Sequence, residues 1–267
     1  MPKKKEIIQF SHANGFPGPT YQSLFSFLED QYDIQYIDML GHNPNFPVVD
    51  NWTTLSKELI QELDKKKLKD VIGIGHSLGG SITLFAAIER PDLFKKIILL
   101  DTPIFSFPRA KIVQLFKNIG FASLITPGGR VRRRRTTWHS FAEALDYFKS
   151  RPLFKNFTAE SLKNYVRYGT EETPKGLVLK FDPAIEASIY LTLPHNYSKY
   201  AHQLKVPGFA IIGKTSEIVK NSDKTSLLHN FGIHNMTIQG GHLFPFEHPK
   251  ETAAAIKHAI AKLPDRN

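Results

Sequence analysis

The chain has 267 residues, no cysteine and a net charge of +10 at neutral pH. A chain of this length can bury one large core and still carry an insertion. The absence of cysteine excludes disulfides and thiolate chemistry, and no apolar run reaches the roughly 20 residues that a membrane-spanning helix needs. The first residues also lack the hydrophobic core of a secretory signal, so we expect a cytoplasmic protein without a membrane span.

Strand and helix signals alternate through the first part of the chain. Apolar runs and apolar residues at helical spacing predict, in chain order, a strand over 6–11, a helix over 21–29, a strand over 33–37, a helix beginning at Thr53, a strand over 71–74, a helix over 81–89 and a strand over 96–101. Repeated strand–helix–strand units are typical of a parallel sheet that is covered by helices on both faces. The predicted fold class is therefore α/β, with a mostly parallel central sheet.

The pattern changes after residue 101. Helical stretches and turns then replace the alternation, and the clearest helices are predicted over 110–119, 140–148 and 159–168. The alternation resumes with strands over 206–212 and 235–239 and a last helix over 249–263. We therefore predict a core formed by residues 1–101 and 204–267, with a helical cap inserted over 102–203. Such an insertion covers the carboxyl edge of the sheet, where open α/β folds bind their ligands.

The most informative stretch is GHSLGG at residues 75–80, a G-x-S-x-G motif between a predicted strand and a predicted helix. A very tight turn in that context holds the serine in a strained backbone conformation and exposes its hydroxyl. Gly75 and Gly79 supply the room that the neighbouring backbone segments need. The motif predicts that Ser77 is a nucleophile. A glycine-rich turn that binds phosphate or only packs is the alternative.

A serine hydroxyl needs a base to take its proton at neutral pH. Of the eleven histidines, His242 is the best placed, because it follows the last predicted strand and precedes the last predicted helix. This position puts it on a loop at the carboxyl edge of the sheet, the edge that also carries Ser77. We therefore predict that His242 is the base, whereas His195, His229 and His258 fit polar loop or surface positions better.

Several motifs together make the chain resemble the α/β-hydrolase fold family. They are SHANGF at 11–16, DMLGH at 38–42, GHSLGG at 75–80, and Gly241-His242 followed by EHP at 247–249. Their order and spacing extend over nearly the whole chain, and the insertion falls at the family's usual cap position. The resemblance implies a serine hydrolase with a helical cap. It says much less about the substrate, because this fold hosts many reactions.

The resemblance also implies an oxyanion hole made of two backbone N–H groups. One belongs to the residue after the nucleophile, here Leu78. The other comes from the loop after the first strand, where Asn14 is the favoured donor and Phe16 is the alternative. Losing one such donor typically costs about 3 kcal/mol of transition-state stabilisation.

The acid that supports the histidine is less clearly marked. Most of the family carries it after the penultimate strand, where this chain has Ser216, and a serine cannot carry the charge that stabilises a histidinium. Glu217 stands one residue further on. Asp101 ends the strand after the nucleophile helix, where some members of the family carry the acid. We predict that Asp101 is the acid and keep Glu217 as the alternative.

A serine nucleophile, rather than an aspartate, indicates an acyl-enzyme. We therefore predict the hydrolysis of a carboxylic ester or thioester of a small-molecule acyl substrate, without a cofactor or metal. C–C bond hydrolysis or acyl transfer by the same triad, and a binding member of the fold without turnover, are the alternatives. No nucleic-acid partner is expected, because the basic runs accompany no nucleic-acid-binding module. The oligomeric state is left open by the sequence.

Aromatic and basic side chains are the candidates for setting specificity. Phe16, His76, Phe105 and Trp138 are predicted to line a substrate pocket, although aromatic residues at helical spacing also fit a core. Arg130 and the run Arg132–Arg135 have two interpretations. They attract a carboxylate or phosphate of the substrate, or they form a solvated surface loop.

Overall fold

The computed structural model describes residues 5–265. Residues 1–4 and 266–267, the two ends of the predicted core, lie outside this described part. The strands are β1 Glu6–Ser11, β2 Tyr32–Tyr36, β3 Val71–His76, β4 Phe94–Leu100, β5 Thr137–Trp138, β6 Thr170–Thr173, β7 Gly176–Leu179, β8 Gly208–Gly213 and β9 His234–Ile238. The α-helices are α1 Gln22–Phe25, α2 Thr53–Lys65, α3 Leu78–Glu89, α4 Phe107–Asn118, α5 Ala122–Ile125, α6 Gly128–Val131, α7 Phe141–Lys149, α8 Ala159–Gly169, α9 Pro183–Leu191, α10 Asn221–Phe231, α11 Phe244–Glu247 and α12 Pro249–Lys262. Short 3₁₀ helices occupy Gly18–Tyr21, Asp50–Trp52, Pro91–Leu93, Pro152–Phe154 and Tyr197–Tyr200.

Six strands form one parallel sheet in the order β2-β1-β3-β4-β8-β9, which confirms the predicted α/β class. The chain runs outward from β1 to β2 and then crosses back to place β3 on the other side of β1. At this reversal the carboxyl ends of β1 and β3 lie side by side, with Ser11 paired to Gly75. Open α/β sheets bind their ligands at such a reversal point.

Apolar side chains cover both faces of the sheet. Along β4, Ile97 and Leu99 pack into one cluster with α2 and α3, and Ile98 and Leu100 pack into the other cluster with α12. All four side chains are fully buried. Successive side chains of a strand point to opposite faces, so a strand that is buried on both faces has a continuous apolar sequence. The two clusters hold the sheet, and thereby the loops at its carboxyl edge, in fixed positions.

The inserted segment, residues 102–203, lies between β4 and β8. It contains helices α4 to α9 and also a small antiparallel sheet in the order β5-β7-β6, which the helical prediction for this segment missed. β6 and β7 form a hairpin whose turn ends at Gly176, with a φ of 109°. A Cβ at this position would clash with the Trp138 carbonyl oxygen. The sequence Pro174-Lys175-Gly176 is the turn signal that marks this hairpin.

The predicted helix over 21–29 is shorter in the structure, Gln22–Phe25. Beyond α1, the Phe27 N–H bonds to the Leu24 carbonyl oxygen and the Leu28 N–H bonds to the Phe25 carbonyl oxygen, so these turns span three residues rather than four. Four-residue bonds from the Glu29 N–H to the Phe25 carbonyl oxygen and from the Tyr32 N–H to the Leu28 carbonyl oxygen accompany them, and the chain then enters β2. Leu24, Phe25 and Leu28 are all buried, so their spacing reports burial rather than the length of the helix.

Residues 5–265 contain neither a candidate membrane-spanning helix nor a candidate metal site. No helix of this range has both the length and the apolar character that crossing a bilayer requires. The same range holds no cluster of His, Asp and Glu side chains that could bind a metal ion.

Candidate active site

Ser77 lies in the turn between β3 and α3. Its φ of 54° and ψ of −113° lie outside the favoured regions for a non-glycine residue, and its N–H bonds to the Leu100 carbonyl oxygen at 2.9 Å. Glycines make the turn possible. A Cβ on Gly75 would clash with the backbone of Gly79, and a Cβ on Gly79 would clash with the Ser11 carbonyl group. The strained turn therefore places the Ser77 side chain at the carboxyl edge of the sheet.

His242 lies on the loop between β9 and α11 and bridges two other side chains. Its Nε2 is 3.0 Å from Ser77 Oγ, and its Nδ1 is 2.6 Å from Asp101 Oδ2. The Asp101 side chain is fully buried, whereas that of His242 is partly exposed. When Nδ1 carries a hydrogen and donates it to the carboxylate, Nε2 is left to accept the proton of the serine hydroxyl.

Asp101 directly follows β4 and has a φ of 40°. Its N–H bonds to the Ile211 carbonyl oxygen at 2.8 Å, which continues the pairing of β4 with β8. Besides His242, its carboxylate accepts hydrogen bonds from the Gly213 N–H at 2.9 Å and from the Ser216 hydroxyl at 2.5 Å. These three donors compensate for the burial of the negative charge.

The loop after β8 supplies a hydrogen-bond donor to Asp101 and does not supply the acid itself. Ser216, at the position where the family usually carries its acid, donates to the Asp101 carboxylate. Glu217 is exposed, and within residues 5–265 its carboxylate forms no hydrogen bond or ion pair with His242. Of the two candidate acids, the structure brings Asp101 to the imidazole.

A chain of hydrogen bonds, here called the relay, runs from Ala13 through Tyr21 and His76 to the His242 backbone. The Ala13 N–H bonds to the Tyr21 hydroxyl at 3.1 Å, and the Tyr21 oxygen is 2.7 Å from His76 Nδ1. His76 Nε2 is 2.9 Å from the His242 carbonyl oxygen. A carbonyl oxygen only accepts, so Nε2 carries the hydrogen and Nδ1 accepts from Tyr21. Burial holds the pKa of His76 well below its ordinary value, which agrees with this neutral form.

The loop after β1 brings backbone donors to the same edge. The Asn14 N–H forms no hydrogen bond within residues 5–265, and Leu78 is the first residue of α3, where an N–H has no partner inside the helix. The Phe16 N–H, by contrast, donates to the Ala13 carbonyl oxygen at 3.1 Å. The Asn14 and Leu78 N–H groups are therefore available to a ligand oxygen, and the Phe16 N–H is occupied.

His12 connects this loop to the loop after β2. Its Nδ1 donates to the Ala13 carbonyl oxygen at 2.8 Å, and its Nε2 accepts the Leu40 N–H at 2.7 Å. Burial lowers the pKa of His12 to about 4, so the ring is neutral at neutral pH and can accept this bond. The fully buried His12 therefore positions the Asn14 loop from behind.

A cavity of about 570 Å³ opens at Ser77 and His242. Its walls come mainly from the loop after β1 and from the inserted segment. The apolar and aromatic residues of the lining are Ala13, Phe16, Pro127, Val131, Tyr147, Phe148, Leu153, Phe154, Tyr165, Tyr190 and Leu243. A cavity of this size and character is typical of a site for a small molecule.

Of the four residues predicted to line a substrate pocket, Phe16 lines this cavity and the other three do not. His76 is fully buried in the relay. Phe105 packs into the core cluster of α2 and α3. Trp138 is 1% exposed and packs behind Phe148, with 5.0 Å between the ring centroids. These three side chains lie outside the cavity lining, because aromatic spacing does not show which face of an element meets a cavity.

The chain belongs to the alpha/beta hydrolase fold family. The model of this family, described as alpha/beta hydrolase fold, matches residues 13–249. The matched range contains Asn14, Ser77, Asp101 and His242, the residues that the structure brings to the edge of the sheet.

Individual relatives and solved structures carry the names of hydrolases. The chain is 32% identical over 84 residues to uncharacterized hydrolase YugF of Bacillus subtilis, a match that covers 30% of this chain and 31% of that protein. It is 25% identical over 100 residues to strigolactone esterase D14 of Arabidopsis thaliana, which covers 35% of this chain and 38% of that protein. The matches thus span only 31% and 38% of the length of these curated relatives. The crystal structure of E-2-(acetamidomethylene)succinate hydrolase shares the fold, with a TM-score of 0.80 and 17% identity over 97% of this chain and 92% of the other.

Proposed function

We propose that the protein is a serine hydrolase that cleaves a carboxylic ester or thioester through an acyl-enzyme on Ser77. The observation that supports this most directly is the position of His242, 3.0 Å from Ser77 Oγ and 2.6 Å from Asp101 Oδ2. A hydroxyl, an imidazole and a buried carboxylate in this order are what nucleophilic catalysis by serine needs. Relatives named as hydrolase and esterase support the same reaction class.

In the acylation step, Ser77 Oγ attacks the carbonyl carbon of the substrate and its proton passes to His242 Nε2. The carbonyl electrons move onto the oxygen, where the N–H groups of Asn14 and Leu78 stabilise the developing charge. The Asp101 carboxylate stabilises the imidazolium. As the tetrahedral intermediate collapses, His242 gives its proton to the leaving alcohol or thiol, and the acyl group stays on Ser77.

Deacylation repeats these steps with water as the nucleophile. His242 takes one proton from the water molecule while the water oxygen attacks the acyl carbon. Ser77 Oγ then leaves as the ester bond to the enzyme breaks, and it regains a proton from His242. The products are a carboxylic acid and the free enzyme, and no co-reactant other than water is consumed.

We also propose the domain division that the sequence predicts, with residues 102–203 acting as a cap on the core of residues 1–101 and 204–267. The support is that side chains of the inserted segment, among them Phe148 and Tyr165, line the cavity at Ser77. A cap that excludes bulk water strengthens the electrostatic interactions beneath it. A cytoplasmic location stays a prediction.

Labelling with a fluorophosphonate probe and turnover of p-nitrophenyl butyrate test the proposed function. The wild-type protein should be labelled at Ser77 and should release p-nitrophenolate, whereas Ser77→Ala should not be labelled and should lose at least roughly 10³-fold in kcat. Circular dichroism of both proteins shows whether the fold is retained. A folded wild-type protein that is neither labelled nor active contradicts the proposal and favours a binding member of the family. Product analysis with added alcohols separates hydrolysis from acyl transfer.

A further inference from the structure

The cavity at Ser77 is rich in positive charge. Its guanidinium groups belong to Arg130, Arg134, Arg135 and Arg151. Among the residues that line the cavity, Glu186 supplies the one carboxylate to set against them. Arg132 and Arg133, from the same arginine run, are exposed and do not line it. The run therefore divides into arginines that line the cavity and arginines that do not.

Arg134 is the most enclosed of these arginines, with its side chain 21% exposed. Its Nη2 lies 2.7 Å from Glu186 Oε2. Its Nε is buried and has no hydrogen-bond partner within residues 5–265. A buried N–H without a partner costs free energy, and a ligand oxygen that accepts from it recovers that cost. Within residues 5–265 one N–H of the Arg134 guanidinium therefore has no acceptor, and a ligand oxygen reaches it only when the side chain shifts.

The Arg134–Glu186 pair lies against the loop that carries Asn14. The Asn14 side-chain amide donates to the Glu186 carbonyl oxygen at 3.0 Å. Glu186 Oε1 lies 2.5 Å from the point that a Cβ on Gly15 would occupy, so the carboxylate packs directly on this loop. Because the pair and Ser77 line the same cavity, one small molecule can reach both.

The other three arginines differ in how far their charge is neutralised. Arg135 is paired with Glu143 at 2.5 Å. Arg151 lies over the Tyr147 ring, 4.1 Å from its centroid, and within residues 5–265 neither Arg151 nor Arg130 forms an ion pair with a carboxylate. These two uncompensated guanidinium groups are exposed residues of the cavity lining, and they produce a positive potential that attracts an anionic ligand.

We propose that this cavity takes an ester or thioester that carries a carboxylate, with Arg134 binding the carboxylate and Arg130 and Arg151 attracting it. The inference rests on the proposed function, because it names the substrate class of the same site. The planar guanidinium matches a carboxylate through two parallel hydrogen bonds.

Binding to the Ser77→Ala protein tests the inference without any turnover. Calorimetric titration compares monomethyl glutarate with dimethyl glutarate, which differ in one negative charge. We expect the monoester to bind at least roughly tenfold more tightly, and we expect this advantage to shrink as ionic strength rises. Equal affinity for the two compounds overturns the inference, whether or not the wild-type protein is an enzyme.

Turnover shows on which side of the scissile bond the carboxylate lies. One substrate pair is mono-p-nitrophenyl glutarate and its methyl ester, and the other is 4-carboxyphenyl butyrate and its methyl ester. Each kcat/KM is divided by the rate of alkaline hydrolysis of the same compound. We expect at least roughly tenfold preference for the anion in one pair, the acyl or the leaving-group pair. Hydrolysis of all four esters without preference overturns the inference and leaves the proposed function intact.

Variants of the arginine run show which arginine causes the preference for the anionic ester. Arg134→Gln should reduce the ratio of anionic to neutral kcat/KM by at least about tenfold. Because this change leaves Glu186 buried without its partner, the double variant Arg134→Gln/Glu186→Gln is measured as well. Arg132→Gln and Arg133→Gln remove the same charge outside the cavity and should keep the ratio within about twofold of the wild-type value. Equal losses in the controls and in Arg134→Gln overturn the role of the cavity.

The two proposals fail separately. If the Ser77→Ala protein prefers the monoester but the wild-type protein neither labels nor turns over any ester, the proposed function fails and the ligand class stands. If labelling and turnover occur but charge has no effect on binding or on kcat/KM, the hydrolase stands and the ligand class fails.

Discussion

The buried Asp101 carboxylate accepts hydrogen bonds from three donors. A single substitution measures what this residue contributes to catalysis. We expect Asp101→Asn to lower kcat by roughly 10³- to 10⁴-fold and to leave KM within about threefold of the wild-type value. The reason is that an amide cannot stabilise the imidazolium of His242 or fix its tautomer. Steady-state hydrolysis of p-nitrophenyl butyrate measures both constants.

Glu217→Gln is the matched control, because it neutralises the other candidate acid. The Glu217 carboxylate is exposed and makes no hydrogen bond to His242 among residues 5–265. We expect its kcat to stay within about twofold of the wild-type value, as for other surface substitutions. A loss in Glu217→Gln as large as that in Asp101→Asn would contradict the assignment of Asp101.

Ser216 allows the acid to be moved to the position that is usual for the family. Its hydroxyl oxygen lies 2.5 Å from Asp101 Oδ2, so a carboxylate at position 216 comes close to the same imidazole. We expect the double variant Asp101→Ser/Ser216→Asp to recover at least about tenfold of the kcat that Asp101→Ser loses. Ser216→Asp alone is the control, and it should lower kcat because two negative charges then lie side by side. A double variant no faster than Asp101→Ser would mean that position 216 cannot support His242.

At the scale of elements, the relay from Ala13 to His242 joins the loops after β1 and β9 through the last residue of β3. Tyr21→Phe removes its middle link and leaves the Ala13 N–H and His76 Nδ1 buried without partners. We expect the free energy of unfolding to fall by about 1–3 kcal/mol. We also expect kcat to fall more than KM rises, because the loops of His242 and Asn14 lose their common anchor. Urea unfolding and p-nitrophenyl butyrate kinetics measure the two effects.

Tyr36→Phe is the control for the loss of a tyrosine hydroxyl near the same helix. The Tyr36 hydroxyl forms no hydrogen bond in the described part of the chain, and the ring stacks on Phe25 with 5.6 Å between centroids. We expect its free energy of unfolding to stay within about 0.5 kcal/mol of the wild-type value. If Tyr21→Phe loses stability but keeps its kcat, the relay stabilises the fold without positioning the site.

The elements also show which parts of the fold a sequence can reveal. The central strands were predictable because a parallel strand that is buried on both faces has a continuous apolar sequence, as IILL in β4 does. β5 has two residues and β6 reads TEET, so neither has a period or composition that marks a strand. Their pairing with β7 is a long-range contact. The end of α1 likewise depends on the turn into β2, which local helical spacing does not encode.

The candidate site likewise has residues that the sequence predicts and residues that it does not. Ser77 and His242 could be chosen from sequence, because each follows a strand whose carboxyl end reaches the same edge of the sheet. Asp101 was preferred to Glu217 through the resemblance, and the pairing of β4 with β8 is what places its carboxylate beside His242. The cavity lining was beyond prediction. Packing within the inserted segment decides that Arg134 faces the cavity while Trp138 faces Phe148.

At the scale of the whole molecule, buried ionisable groups make stability depend on pH in opposite directions. Burial lowers the pKa of His12 from 6.5 to about 4, so the folded state binds fewer protons in this range and stability is lost as pH falls through it. Burial raises the pKa of Glu58 from 4.5 to about 7, so the folded state binds more protons and stability is lost as pH rises through that range. The pH dependence of the free energy of unfolding of the wild-type protein combines the contributions of His12 and Glu58. A variant of one of these residues separates them.

Glu58→Gln isolates the contribution of Glu58 to the pH dependence of stability. Glu58 accepts the Gly41 N–H at 3.1 Å, and a glutamine oxygen can accept the same bond without ionising. The free energy of unfolding, variant minus wild type, should therefore increase by about 2–3 kcal/mol between about pH 5 and about pH 8. Urea unfolding at both pH values measures this difference. A difference that is constant with pH would mean that Glu58 ionises as readily in the folded protein as in the unfolded chain.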